Sequence, residues 1–266
     1  MKFRSILCVA AFAATSLFAD DLPTTDTVGW LKVDSTAVST IVSVPWIQVG
    51  TTAGSVQVAK LVKTDSLTAD GGVMLYYYDG SASAYKAWAL QTVENVKTWV
   101  PASTTISSNG KSITASAPND DFPLPRGKAL FVYRPNGAAD GYIYLYGKYT
   151  ETTPASFTTA TGTADVPAYT LIGNPSAAAV SLNTSGLFTN VGENDKIMIP
   201  GASGALEKEC TYENENGTWG WWNPALSTKT VGSKTIKKPG RDTNVSIPAG
   251  RGVWYVSRGG TATVQF

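Results

Sequence analysis

A repeat within the chain constrains its fold more than any other feature. Slid along itself by 123 residues, the sequence places Trp99, Pro101, Ala102 and Thr105 on Trp222, Pro224, Ala225 and Thr228. Lys111 and Ile113 then fall on Lys234 and Ile236, and Pro125 and Gly127 on Pro248 and Gly250. The register holds without a gap from Trp99 to Tyr133, and unmatched positions agree in kind: Leu124 with Ile247, Lys128 with Arg251, Phe131 with Trp254. Upstream, one more residue of offset sets Val73-Met74-Leu75 on Ile197-Met198-Ile199, and a few more set Thr40 to Pro45 on Thr170 to Pro175. The same order of segments occurring twice predicts two copies of one domain, at residues 20–150 and 151–266, divided in the Thr-rich stretch from Tyr149 to Val166.

Each copy reads as strands. Short runs rich in β-branched and aromatic residues, such as Thr40 to Val44, Ala129 to Arg134, Lys196 to Ile199 and Gly252 to Val256, are separated by Gly, Pro, Asn and Asp clusters. In Pro125-Arg126-Gly127 and Pro248-Ala249-Gly250, proline presets φ and glycine permits positive φ, so the chain turns sharply into an aromatic core strand. Trp99 and Trp222, each two residues before a proline, are read as plugs of the two cores. Helix-like spacing is confined to residues 56–67 and predicts two turns at most. The expected fold is all-β: two tandem duplicated domains, each an antiparallel β-sandwich or small barrel.

Residues 1–19 predict a secretory signal peptide, with basic Lys2 and Arg4, an apolar run from Ile6 to Ala14, and cleavage after Ala19. That run is too short for a membrane span, which needs about 20 residues, so the expectation is an exported protein with no span: extracellular, at the cell surface, or periplasmic. Cys8 leaves with the signal, and the remaining Cys210 is expected as a buried or partly buried free thiol. Removing Lys2 and Arg4 takes Lys+Arg from 21 to 19 against 20 Asp+Glu, a net charge near −1. Overall charge therefore offers no footprint for nucleic acid or an anionic membrane.

Some of these segments are similar to an uncharacterised class of secreted proteins of planctomycete and verrucomicrobial bacteria. They are Val28-Gly29-Trp30, Leu171-Ile172-Gly173-Asn174-Pro175, the Trp-Gly-Trp-Trp-Asn-Pro run at 219–224, and the Pro-Ala-Gly-Arg-Gly-Val-Trp-Tyr run at 248–255. The resemblance implies export and β-architecture and carries no activity, cofactor or catalytic residue. The first copy departs from it, with Val44-Pro45 for Asn-Pro and Lys128-Ala129 where the second glycine stands.

Candidate chemistry is sparse. The chain has no histidine, so it can build no Ser-His or Cys-His pair and no imidazole metal site. Glycoside hydrolysis needs only two carboxylates, but Asp120-Asp121 and Glu193-x-Asp195 lie in turn-rich loops and are read as solvated turn residues. The same acids match no calcium loop. The expectation is a non-catalytic protein without cofactor or metal.

Aromatic residues are the remaining handle: 8 Trp and 12 Tyr in a chain with 15% charged residues. Trp219 and Trp221 share a face of their strand while Trp222 takes the other, so with Trp222 in the core the first two point outward, near Tyr212. Tyr142, Tyr144 and Tyr146 alternate with Ile143 and Leu145, which puts three tyrosines on the face away from the core. Such a row is an apolar patch with polar tips, to be covered by the second copy or by another molecule. Three functional readings stand open: a structural or interaction protein of the cell surface or matrix, capable of self-association; a carbohydrate-binding module using Trp219, Trp221 and these tyrosines; and, remotely, a carboxylate-based glycan-active enzyme.

Overall fold

The computed structural model describes residues 28–35, 39–44, 58, 62–80, 82–108, 111–118, 124, 126–148, 156–176, 178–201, 206–231, 234–242 and 244–266. The expected signal peptide, Cys8 and Asp120-Asp121 lie outside them. In the first half the strands are β1 (Val28–Ser35), β2 (Ser39–Ser43), β3 (Val62–Lys63), β4 (Met74–Asp79), β5 (Ala84–Val93), β6 (Val96–Pro101), β7 (Thr104–Ser108), β8 (Lys111–Ser116), β9 (Ala129–Tyr133) and β10 (Gly141–Lys148). In the second half they are β11 (Ser156–Thr158), β12 (Ala168–Gly173), β13 (Val180–Ser181), β14 (Phe188–Thr189), β15 (Lys196–Pro200), β16 (Leu206–Glu215), β17 (Thr218–Val231), β18 (Lys234–Asp242), β19 (Ser246–Ile247), β20 (Gly252–Ser257) and β21 (Thr263–Gln265). The helix-like stretch at 56–67 is largely undescribed; Val58 is helical, but Val62 and Lys63 are strand.

The protein is all-β. The first half forms a small sheet, β1-β10-β3, and a large one, β2-β9-β4-β5-β8-β7, with β6 also on β5. The second half has a small sheet β11-β21-β14, a large sheet β12-β20-β15-β16-β17-β18 and a short β13-β19 pair. Pairing is antiparallel except between β5 and β8. Among the described residues no sheet closes into a barrel; each half is a sandwich of small sheet on large, and strand order recurs, β2-β9-β4-β5 against β12-β20-β15-β16. Alternation sets the faces: Ile143 and Leu145 from β10 meet Leu75 and Tyr77 from β4 and Leu130 and Val132 from β9 in one core. Val264 from β21 meets Ile197, Ile199, Val253 and Tyr255 in the other.

Turn chemistry corrects the sequence register at one residue. Glu94-Asn95 (φ 50 and 65) and Asn216-Gly217 (φ 53 and 88) are two-residue hairpin turns with positive φ at both positions. Counting from them, Leu90 faces Trp99 across the first hairpin and Tyr212 faces Trp221 across the second. Trp99 therefore corresponds to Trp221, and both are 2% exposed; the match to Trp222 was one residue off, because the Trp-Trp doublet let a gapless alignment choose the wrong ring. Upstream, Leu75 faces Val132 and Ile197 faces Tyr255, so Leu75 answers to Ile197 and not Ile199. That shift of two residues left the inward face unchanged.

The halves meet along a seam in which each gives the other the same contact. Gly127 (φ 84) and Gly250 (φ 66) have the positive φ expected of the two turns. Each turn offers its carbonyl across the seam: Gly173 N–H donates to Gly127 O (2.8 Å) and Ser43 N–H to Gly250 O (3.0 Å). Backbone bridges Lys128–Ile172 and Val42–Arg251 repeat the exchange. Ile41, Ala129 and Leu171 are buried between the sheets, with Tyr78, Phe131 and Trp254 packed against them.

Close approach requires small residues there. A Cβ on Gly173 would lie 2.5 Å from Lys128 O and 2.6 Å from Ser43 Cα, backbone atoms that no rotamer change can move. Gly173→Ala should therefore lower unfolding stability by about 2 kcal/mol through overpacking, read as a reduced urea midpoint at unchanged slope; an unchanged midpoint would show that the seam is not tight.

Candidate functional site

The outer faces of the two large sheets form the most distinctive surface. On β4, Leu75 and Tyr77 point into the core while Tyr78 belongs to the opposite face with Phe131 of β9. On β20, Val253 and Tyr255 point inward and Trp254 outward. Where these faces diverge from the seam they leave a cleft of about 600 Å³. The first half contributes Ile41, Tyr78, Tyr85 and Phe131, with Ser39 and Ser83; the second contributes Tyr169, Met198, Pro200, Leu206 and Trp254.

Its rings form a chain across the seam. Tyr85 and Tyr78 have centroids 4.8 Å apart, Tyr78 and Trp254 5.4 Å, and Trp254 and Tyr169 6.3 Å. Successive planes are inclined by 54°, 68° and 84°, so edges meet faces and no flat strip results. Tyr169 is 42% and Leu206 52% exposed. Size and lining match those of ligand pockets, mostly apolar with few polar groups. A second opening of about 230 Å³ continues past Ser39, Ile41 and Pro200 to Arg251 and Glu207. β2 ends its sheet, its outer edge taken at Val42 and Ser43 by Arg251 and Gly250, and its Ser39 and Ile41 line both openings.

Two cations flank the seam at corresponding positions. Lys128 Nζ sits 3.7 Å from the centroid of the Phe157 ring. Burial lowers its pKa to about 8, opposed by the Asp79 carboxylate. Burial also lowers the Arg251 pKa, opposed by Asp34. On β4 and β5, burial pushes Tyr76, Tyr77 and Tyr85 up to about 12.

The expected site residues do not converge. Trp219 is 48% exposed, stacked on Tyr212 at 5.4 Å and 18°. Trp221, expected outside beside it, is in the second core against Phe188 and Tyr255. Trp222 is half-buried, its Nε1 donating to Glu213 O at 3.0 Å. The tyrosine row lies on the outer face of the small sheet, as alternation required: Ile143 and Leu145 are fully buried, Tyr142, Tyr144 and Tyr146 half-buried. Its rings touch one another at 5.2 and 5.9 Å, and Lys32 Nζ lies 4.0 Å from the Tyr142 ring. Hydrogen bonding to Asp65 and Tyr144 pushes the Tyr142 phenol up to about 12. The seam is built from β2, β9, β12 and β20, not from this row.

Asp195 is likewise not a solvated turn residue. It is fully buried and accepts hydrogen bonds from Tyr255 Oη (2.5 Å), Gly192 N–H (2.9 Å), Arg258 N–H (2.5 Å) and Gly259 N–H (3.0 Å). Burial, then that bond, raises the Tyr255 pKa. Asn174 is also fully buried; its Nδ2 donates to Ala178 O and Ile247 O at 2.8 and 2.9 Å, binding the Asn-Pro end of β12 to the Pro-Ala-Gly turn. Cys210 is buried with no disulfide. Among the described residues no three carboxylate or thiol groups are placed to hold a metal ion, and no helix is long and apolar enough to cross a membrane.

The cleft aromatics were missed because their strands read as core. One signal pointed to them: Phe131 and Trp254 match across the repeat yet lie out of phase with the inward residues on either side of each. No family model, curated protein or solved structure matches this chain.

Two outcomes follow. Trp221→Ala should cost about 4 kcal/mol of unfolding stability and Trp219→Ala about 1 kcal/mol, its stacking alone; equal losses in urea titrations would contradict the difference in burial between the two rings. As for pH, the folded chain releases the Lys128 proton near pH 8 while the unfolded chain holds it to 10.5, so stability rises across that interval. Above the ordinary tyrosine pKa of 10.0, the unfolded chain loses protons that Tyr76, Tyr77 and Tyr85 keep to about 12, so stability falls. The urea midpoint should rise from pH 8 and turn down above 10, and Lys128→Met should abolish the rise and leave the fall.

Proposed function

We propose that the chain is an exported, non-catalytic interaction protein of the cell surface or matrix, made of two copies of one duplicated domain, which holds an extended apolar peptide of a partner protein in the cleft between them. The observation that carries this reading is the aromatic cleft on the seam, open to solvent and lined from both halves. An extended peptide lies along such a cleft with alternate side chains in its pockets. The inclined rings favour inserted aliphatic and aromatic groups over a flat sugar face. Duplication is supported by the repeated strand order and the reciprocal seam contacts. Export is supported by the sequence of residues 1–19.

A second reading has one observation in its favour. Trp219, half-exposed and stacked on Tyr212, is a single platform on which a glycan ring can rest.

Panning a random peptide display library on the immobilised protein separates the two. Enriched peptides should alternate apolar with polar residues, and a Tyr78→Ala, Trp254→Ala variant should lose at least roughly ten-fold in affinity for them, as for two anchor residues each costing over 1 kcal/mol. Trp219→Ala should bind them normally. Failure to enrich any peptide, or equal binding by the cleft variant, would refute the peptide reading. Binding of a neutral oligosaccharide such as cellohexaose, lost in Trp219→Ala, would put the glycan reading in its place.

A further inference from the structure

Near-neutral overall charge conceals an uneven distribution in the second half. Residues 224–242, the outer part of β17 and all of β18, hold Lys229, Lys234, Lys237, Lys238 and Arg241 against the single acid Asp242, a net of four positive charges. The corresponding stretch of the first half, residues 101–119, holds Lys111 alone. The backbone pairs without interruption from Asn223–Asp242 to Val231–Lys234, so these cations stand on a regular two-stranded ribbon. Directly opposed positions share a face: Val231 opposes Lys234, Lys229 opposes Ile236 and Ser227 opposes Lys238. Positions 229, 234 and 238 therefore fall on one face, and 237 and 241 on the other.

The two halves use this hairpin differently. In the first half β8 returns alongside β5, pairing at Tyr85–Ala115 and Lys86–Ser116. Ala115 is buried there with Met74, Tyr76 and Ala87. In the second half, among the described residues, β18 pairs only with β17. The positions answering to Met74 and Ala87 are Lys196 and Glu209, which form a half-exposed ion pair at 2.6 Å. A face bearing its own ion pair needs no hairpin over it.

We propose that the β17–β18 hairpin is a docking arm for an anionic polysaccharide. Closely spaced cations on an extended ribbon complement a polymer carrying one carboxylate or sulfate per sugar or two. Residues 224–242 include no aromatic residue, so the arm lacks the stacking surface on which single-stranded nucleic acid is held. Hydroxyl-bearing Ser227, Thr228, Thr230 and Thr235 stand in register among the cations. The arm is separate from the cleft, and its test does not depend on what the cleft binds.

The full chain is titrated with polygalacturonate and heparin at low and physiological salt, with dextran as neutral control and duplex DNA as competing polyanion. Both acidic glycans should bind, more weakly as salt rises, and dextran should not. A Lys229→Gln, Lys234→Gln, Lys238→Gln variant, which clears one face, should lose roughly 100-fold, about five-fold per charge removed, while the matching Lys→Arg variant binds like the parent. Circular dichroism of both should be unchanged, and Trp254→Ala should bind the glycans normally. Absence of glycan binding, equal binding of dextran, or an undiminished Gln variant overturns the proposal. Tighter binding of DNA than of polygalacturonate also overturns it and assigns the arm to nucleic acid.

Discussion

Two backbone carbonyls hold the architecture together. Gly127 and Gly250 adopt a conformation that L side chains seldom reach, and in doing so each turns its carbonyl toward a backbone N–H of the other half. The remaining features of the seam follow from that exchange. Backbones this close leave room only for Ser43 against Gly173. The residues after the two glycines, Lys128 and Arg251, are drawn into partly dry surroundings and balanced by Asp79 and Asp34. With the seam set, the outer faces of the large sheets stand opposite one another and the aromatic cleft is what lies between them.

Much of the sandwich architecture was legible because β-structure writes itself locally. Alternation in Tyr142 to Tyr146 sorted core from surface, and the Pro-x-Gly segments announced their positive φ. Register was harder, since a one-residue slip turns a strand over while barely changing a sequence match. The doublet Trp221-Trp222 offered two equally good partners for Trp99, and only the hairpin turn at Asn216-Gly217 decides between them. Asp195 was misread for a related reason: the donors to its carboxylate, apart from Gly192, come from residues 60 or more positions away, so nothing nearby showed that it would be buried. The cleft was invisible because each of its walls alone reads as an ordinary strand face.

The same scaffold carries two different outer surfaces. In the first half Met74 and Ala87 make an apolar face that the β7–β8 hairpin helps to close; in the second Lys196 and Glu209 make a polar one joined by an ion pair. Two changes on β15 and β16 thus go together with a different path for a hairpin over 20 residues further along the chain. A sandwich whose core lies between its two sheets leaves outer faces free to vary in this way, because their polarity is not tied to inner packing.

The position of Asp195 governs the order in which the molecule can be completed. The named strands of the first sandwich end at Lys148, so a chain emerging from its N-terminus can finish that unit while the remainder is still being made. The second sandwich comes together later along the chain: its buried carboxylate finds Arg258 and Gly259 over 60 positions beyond it, and its small sheet is centred on β21, at Thr263–Gln265. Until those arrive, the Asp195 carboxylate lacks two of its four donors, and the unit must wait open. A finished first half, with its Gly127 carbonyl already turned outward, then presents a preformed edge against which the late half can assemble.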